Sequence, residues 1–457
     1  MPQATVIGLG RSGIAAARLL KLMGYEVLLG DRGDTPALRE KAADLREAGI
    51  AVCLDHTPDW EIERPNLLVV SPGVPWDAVP IVAARDCGIE TIGELELAWR
   101  HLQNCSWLGI TGTNGKTTTT ALLAAMLQAS GLDAQACGNI GNAACELAID
   151  VLTAARPKPD WIVAELSSFQ IEAAPKLTPN IGVWTTFTPD HLDRHRTLER
   201  YFDIKNSLVQ RCPVQIINGD ASELRDRGTA TWPSAHWTSV GGQAELLGVP
   251  KGGIYIEPVD GEEWVIAFGE QVAPVATLKM LGEHNRQNLL LAVGAARLAG
   301  ATPEAIARAI AEFPGVPHRL EWICRHGGTD FINDSKATNY DAAIVGLDAV
   351  PTPAISIAGG QPKAGDDAAW LAAIAVKVVK VLLIGEAAPS FAERLAASGY
   401  ENFEIVETLE VAVSRSAELA ESLQAKVVLL SPACASFDQY GSFEERGDHF
   451  RQLCLAL

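Results

Sequence analysis

The chain has 457 residues, 48% hydrophobic and 20% charged, with glycine and proline spread along its length. That length exceeds one ordinary hydrophobic core and predicts about three domains, while the composition excludes extended disorder. A formal net charge of −19 makes the average surface a poor partner for nucleic acid, so any phosphate site must be local.

No apolar run approaches the roughly 18 residues that would span a bilayer, and the opening MPQATVIGLG enters a strand pattern without a basic leader. The expectation is a cytoplasmic protein with no membrane insertion. The nine cysteines are odd in number and lack a CxxC pair, which argues against a disulfide framework or a zinc ribbon and for buried small apolar residues.

Residues 4–98 alternate apolar runs (ATVIGLG, EVLLGD, NLLVVSPGV) with helical stretches, the pattern of βα units around a parallel sheet. A second start comes at SWLGITGTNGKT, followed by strand candidates WIVAEL, IGVWTTF and VQIING. The stretch 228–278, rich in Gly, Thr and Trp with short alternating segments, reads as a small antiparallel β insertion. The run FPGVPHR reads as a hinge, because each proline stiffens the chain and biases its predecessor away from helix. Beyond it, TPAISIAGG, VVKVLLIG and AKVVLLSPA predict a third parallel sheet. The expected fold class is thus α/β in three domains, 1–98, 99–314 and 315–457: an N-terminal Rossmann-like domain, a central P-loop domain carrying the insertion, and a C-terminal Rossmann-like domain.

The strongest motif is Gly112-Thr113-Asn114-Gly115-Lys116-Thr117, with Thr118 next, between an apolar strand and a helical run. Glycines there let backbone N–H groups face phosphate oxygens, and the helix N-terminus adds partial positive charge. Lys116 would sit on the terminal phosphates of ATP and the Thr117 hydroxyl on Mg²⁺. Ile110 stands where a Walker loop has its first glycine, so the loop is a shortened variant. Glu165 ends the run WIVAE and is the candidate acidic Mg²⁺ ligand; a carboxylate that merely ends a strand or caps a turn is the alternative.

Gly8-Leu9-Gly10-Arg11-Ser12-Gly13, with Asp31 after the next strand, satisfies the dinucleotide fingerprint. Alone it reads as NAD binding, yet the same geometry holds any diphosphate, and a UDP-sugar fits equally well. His191 and His195 at i, i+4 suggest zinc, but HLDRH lacks the glutamate of HExxH. Asn285 and Asn288, one helical turn apart, can present amides to adenine from one face or act as caps.

Taken in order, TGTNGKTT at 111, GNIG at 138, ELSSFQ at 165, DHLDRH at 190, GEHNRQN at 282, PHRLE at 317, NDSKATN at 333, GGQPK at 359 and SPACASFDQYGSFEERG at 431 resemble the Mur ligase family. The last three resemble its D-glutamate-adding branch, and no DNPR-like segment of the diaminopimelate- or lysine-adding branch is present. The resemblance implies ATP-dependent joining of D-glutamate to UDP-N-acetylmuramoyl-L-alanine through an acyl phosphate and a tetrahedral intermediate, with two Mg²⁺ sites (Mn²⁺ a substitute), in a protein expected to be a monomer.

The same resemblance implies the remaining roles. Lys205, in YFDIKNS, matches the position where the family's lysine carries a CO₂-derived carbamate, and with His191 it would hold the second Mg²⁺; a solvated helix lysine is the alternative. Arg319 and Asp334 match contacts to phosphate and ribose. Arg11, Ser12, Asp31, Arg32, Ser71 and Gly73 would line the uracil and diphosphate of the UDP substrate, with Asn139, Ser167 and Gln170 guiding its peptide end. Lys336, Thr338, Lys363, Ser436, Phe437 and Phe443 match the D-glutamate set. The run after Lys363, Ala-Gly-Asp-Asp, departs from the Gly-Ala-Asp-Phe-like order expected there. Rival readings are a sister ligase, such as the L-alanine-adding member or a folylpolyglutamate synthase, against which the SPACASFDQY segment and the SxP-type N-terminal domain argue; a nicotinamide-dependent oxidoreductase, which leaves the P-loop unexplained; and a non-catalytic nucleotide switch, which would bind ATP without amide synthesis.

Overall fold

The structure, a computed structural model, describes residues 1–248, 252–362 and 365–457, with the side chain of residue 193 also left aside. Strands β1 (Gln3–Ile7), β2 (Glu26–Gly30), β3 (Ala51–Cys53), β4 (Leu67–Val70) and β5 (Glu90–Gly93) form a wholly parallel sheet in the order β3-β2-β1-β4-β5. The order reverses between β1 and β4, which opens a crevice at their carboxyl ends. The glycine loop after β1 closes tightly there. A Cβ on Gly13 would lie 1.8 Å from the Gly8 carbonyl oxygen and 2.6 Å from Ser71 Oγ. Gly13→Ala is therefore expected to destabilise the protein by about 3 kcal/mol or more; an unchanged denaturation midpoint would refute the close packing.

The second sheet comprises β6 (Ser106–Thr111), β7 (Ala134–Gly138), β8 (Trp161–Glu165), β9 (Ile181–Trp184), β10 (Val214–Asn218), β11 (His236–Ser239), β12 (Ile254–Val259), β13 (Glu262–Ala267) and β14 (Glu270–Pro274). Its order is β14-β13-β12-β11-β10-β9-β6-β8-β7, with β6 between β9 and β8. The antiparallel part is narrower than the segment 228–278. Strand β11 runs parallel to both β10 and β12, and only β12, β13 and β14 form antiparallel hairpins, which extend the edge of the main sheet.

The helix Lys116–Ala129 after β6 carries four successive threonines, all buried together with Leu122, Leu123, Met126 and Leu127. β-Branched residues are weak helix formers, so burial on nearly every side, not propensity, holds this helix. The helix Leu198–Arg211 is instead amphipathic, burying Tyr201, Phe202, Lys205, Leu208 and Val209, so a lysine occupies its apolar stripe. The first two sheets share a core: Leu19, Leu20, Leu95, Ala144, Ala148 and Ile162 belong to one buried cluster. Residues 1–277 and 287–312 accordingly make one compact unit.

The second unit comprises Leu278–Arg286 and Phe313–Leu457. Its sheet, β15 (Glu321–His326), β16 (Thr329–Asn333), β17 (Ala354–Gly359), β18 (Val378–Ile384), β19 (Phe403–Glu407) and β20 (Val427–Leu430), has the order β15-β16-β20-β17-β18-β19, parallel except at the β15–β16 edge. Six cysteines are buried and Cys53 and Cys87 exposed, and none among the described residues is disulfide-bonded. No described helix is long and apolar enough to cross a membrane.

Candidate active site

The phosphate loop is shaped by its glycines and by the residues that follow β9. Gly115 caps the helix Lys116–Ala129 with φ 85°, a left-handed conformation that favours glycine. A Cβ at Gly112 would come within 2.0 Å of Thr185 Oγ1. The stretch following β9 pins the rest: the Thr113 amide donates to the Thr186 carbonyl (2.8 Å), the Asn114 amide donates to Thr186 Oγ1 (2.8 Å), and Thr185 Oγ1 donates to the Asn114 carbonyl (2.5 Å). Asn288 lies against the same loop, its Oδ1 accepting from Thr119 Oγ1 at 3.3 Å.

Two lysines converge on one carbonyl. Lys116 Nζ donates to the Gly112 and Thr113 carbonyls (3.0 and 2.7 Å), and Lys205 Nζ donates to the Gly112 carbonyl at 2.8 Å. Lys205 is buried, with its Nζ 4.6 Å from the Tyr201 ring centroid. Burial, and secondarily the charge of Lys116, holds its pKa well below the ordinary lysine value. This favours the neutral amine.

Glu165 is paired in register with Ile110 beside the loop. Its Oε1 accepts from Asn139 Nδ2 at 2.9 Å, while Oε2 is buried without a hydrogen-bond partner among the described residues. A bare, buried carboxylate oxygen next to a phosphate loop suits a divalent cation. Among the described residues no group of three or more His, Cys, Asp or Glu stands together as a metal cage. Mg²⁺ is commonly held by one or two carboxylates plus substrate phosphates. His191, at φ 53°, is half-exposed, with Nε2 3.5 Å from Asp190 Oδ2. His195 points elsewhere: it is buried, its Nε2 is 2.8 Å from Ser168 Oγ, and burial, then neighbouring cations, pushes its pKa down to about 4. The pair does not form a zinc site.

Several residues expected on the UDP substrate have partners within the chain. Asp31 accepts from the Leu9 and Gly33 amides (2.7 and 2.8 Å), and Ser71 Oγ donates to the Gly8 carbonyl (3.0 Å). Ser167 and Gln170 form a capping box on the helix Ser168–Glu172, satisfying its first amides. Asp31, Arg32 and Gly73 nonetheless line a cavity of about 570 Å³ at the carboxyl ends of β1 and β4. Arg11 and Ser12 begin the helix beside it and are not part of its lining. The cavity wall also includes His56, Pro75, Ala78 and Ile81, which the motif reading missed. His56 packs flush on Gly30, where a Cβ would meet its ring at 2.2 Å.

In the second unit, Asp334 is buried, its Oδ1 accepting from the Leu320 amide (3.3 Å) and its Oδ2 from Ser431 Oγ (3.2 Å). Burial pushes its pKa up to about 7, opposed by Arg319. Asn285 Nδ2 donates to the Leu281 carbonyl at 2.6 Å. Lys336 Nζ stands 5.3 Å from the Phe443 ring centroid. Ser436 is buried and Phe437 largely exposed. Lys363 lies outside the described residues.

One residue absent from the motif reading joins this group. Arg446 is buried and donates to Ser335 Oγ and carbonyl (3.0 and 2.9 Å), the Cys434 carbonyl (3.1 Å) and the Ala435 carbonyl (3.2 Å). It thereby clamps the loop bearing Lys336 and Thr338 to the loop bearing Ser436 and Phe437. The only advance signal was its place within the FEERG segment.

A phosphate loop on an α/β sheet, a crevice domain N-terminal to it in the chain and a third α/β domain C-terminal to it define a nucleotide-dependent ligase. Family models for the MurD-like N-terminal domain, the Mur ligase middle domain and the Mur ligase glutamate ligase domain match residues 2–93, 110–296 and 318–434. The chain belongs to the Mur ligase family. It is 61% identical to the UDP-N-acetylmuramoylalanine--D-glutamate ligase of Microcystis aeruginosa and 57% identical to that of Synechocystis, each comparison covering the whole of both chains. Among solved structures, UDP-N-acetylmuramate-alanine ligase MurC from Thermotoga maritima (TM-score 0.59, 20% identity, all of both chains) and MurF from Acinetobacter baumannii (TM-score 0.60, 17% identity, 93% and 90% covered) share the fold.

Proposed function

We propose that the protein joins the amine of D-glutamate to the alanyl carboxylate of UDP-N-acetylmuramoyl-L-alanine, converting ATP to ADP and phosphate, in the assembly of peptidoglycan precursor. The observation that carries this reading is the likeness at 55–61% identity, covering the whole chain, to enzymes named for that reaction.

The chemistry runs in two steps. The substrate carboxylate attacks the γ-phosphorus and ADP leaves, giving an acyl phosphate; the neutral amine of D-glutamate then attacks the acyl carbon, and the tetrahedral adduct expels phosphate and loses a proton. A carboxylate about 4 Å from a phosphate charge is repelled by about 4 kcal/mol per charge pair at an effective dielectric near 20, so cations must gather at the transferring group. Lys116 would exchange its two loop carbonyls for phosphate oxygens. Thr117 and Glu165 would hold one Mg²⁺, and His191 with a carbamate on Lys205 a second, supplying charge neutralisation at the γ-phosphoryl group. As an ammonium, Lys205 would repel a cation; the carbamate reverses its sign.

The remaining assignments follow the chain. The N-terminal cavity with Asp31, Arg32 and Gly73 takes the uridine end. Asn288 and Asn285 address adenine, and Arg319 and Asp334 address phosphate and ribose. Lys336, Thr338, Ser436, Phe437 and Phe443, braced by Arg446, receive D-glutamate.

The test is phosphate release with ATP, Mg²⁺ and UDP-N-acetylmuramoyl-L-alanine, with D-glutamate present, absent, or replaced by L-glutamate, D-aspartate or L-alanine. Release requiring both the UDP substrate and D-glutamate is expected. Release with another amino acid would reassign the pocket, and none would remove the reaction.

A further inference from the structure

A chain of alternating charges runs from the uridine cavity to the metal side of the P-loop. Glu172 ends the helix Ser168–Glu172. Its Oε2 accepts from Arg194 Nη2 at 3.0 Å and its Oε1 from Arg200 Nη2 at 2.9 Å. Arg194 belongs to the single-turn helix Leu192–His195 directly after His191. Its Nη1 reaches Asp77 Oδ1 at 3.1 Å, and its guanidinium lies 5.8 Å from the Phe169 ring centroid. Asp77 sits between Pro75 and Ala78, both in the wall of the uridine cavity. At the other end, Arg200 lies in the first turn of the helix Leu198–Arg211, which carries Lys205, and its amide is capped by Thr197 Oγ1 at 3.2 Å. The Ser168–His195 hydrogen bond is a second tie between the same short helices, with His195 stacked on Phe169 and Tyr201 at 5.3 and 5.2 Å.

We propose that Glu172 and Arg194 are positioning residues for the ligase reaction, fixing His191 and Lys205 relative to the wall of the uridine cavity so that the metal ligands are aligned when the UDP substrate is seated. The inference rests on the function proposed above. The side chains of Glu172 and Arg194 are only 10% and 13% exposed, so losing one partner leaves the other largely buried with a single ion pair, Glu172 with Arg200 or Arg194 with Asp77. A neutral fastener would hold the helices together. The charged one also fixes orientation, since a carboxylate gripped by one guanidinium on each oxygen has little rotational freedom. The helix Ser168–Glu172 starts at the Ser167 capping box, the single turn Leu192–His195 follows His191, and the helix Leu198–Arg211 carries Lys205; all three meet at Glu172.

The test uses the full-length chain and the variants Glu172→Gln, Arg194→Lys and Asp77→Asn. Mn²⁺ affinity is read by electron paramagnetic resonance with a non-hydrolysable ATP analogue and the UDP substrate, beside kcat, each KM and the thermal midpoint. Glu172→Gln and Arg194→Lys are expected to raise the Mn²⁺ dissociation constant and lower kcat by about 10-fold each, with KM for ATP unchanged. Asp77→Asn, at the outer end, is expected to raise the Mn²⁺ dissociation constant and KM for the UDP substrate together. Lower midpoints with unchanged Mn²⁺ affinity would reduce the network to plain fastening and overturn the inference. If Glu172→Gln does not fold, Asp77→Asn decides: a change in KM for the UDP substrate with unaltered Mn²⁺ affinity also overturns it. A wild-type chain that makes no product with D-glutamate would defeat the functional reading instead.

Discussion

Lys116→Ala is expected to lower kcat by about 1,000-fold while leaving the fold intact. The γ-phosphoryl group spreads its charge over three oxygens as it transfers, and the protein's contribution is positioned positive charge rather than covalent chemistry. Lys116 Nζ is already held at the mouth of the loop by the Gly112 and Thr113 carbonyls, so little reorganisation separates its resting place from a bound phosphate. Alanine is a good helix former at the first position of Lys116–Ala129, and the Gly112 carbonyl keeps its bond from Lys205, so the thermal midpoint should barely move. Single-turnover formation of acyl phosphate checks the assignment: turnover within a few-fold of wild type would remove Lys116 from the chemistry.

What the sequence disclosed depended on how local each feature is. The phosphate loop was legible because its requirements, left-handed glycine, helix start and lysine, all fall within a few consecutive residues. Glu165 was legible as the acid ending an apolar run. The parallel parts of the three sheets followed from the repeating strand and helix pattern, but the strand order did not, nor did the antiparallel β15–β16 edge. Strand β6 lies between β8 and β9, and strand order is set by long-range pairing that periodicity does not encode.

Polar residues in motifs were harder to read, because a motif identifies a side chain without naming the partner that wins it. Asp31, Ser71, Ser167 and Gln170 are all engaged by nearby backbone or by one another. Arg446 escaped notice because its bonds to Ser335 span 111 positions. Lys205 carried a sequence signal beyond the family resemblance: the stripe Tyr201, Phe202, Lys205, Leu208, Val209 places a lysine where helical periodicity calls for an apolar residue. A charged group on a buried stripe is costly unless it is paired, neutral or modified.

That cost frames the second large effect. Lys205→Ala is expected to reduce turnover by about 100-fold or more, since loss of even an outer-shell partner of a metal costs about 10- to 100-fold. Part of the activity should return with formate or acetate, small anions that can enter the space left by the side chain and supply the missing carboxylate. Carbamate formation joins the neutral amine to CO₂ and releases one proton, so it proceeds only from the unprotonated lysine. In the bare chain, burial and, second, the charge of Lys116 both favour that form, the direction a carbamate would need, whereas an ordinary lysine near neutral pH is almost wholly ammonium. Assays in CO₂-depleted buffer should therefore lose activity in the wild-type chain and regain it on adding bicarbonate, whereas Lys205→Ala should respond to carboxylate and not to bicarbonate. Full activity of Lys205→Ala, or indifference of the wild-type chain to CO₂ after prolonged depletion, would remove the carbamate; loss of activity without carboxylate rescue, accompanied by a fallen thermal midpoint, would make Lys205 a structural donor to the Gly112 carbonyl.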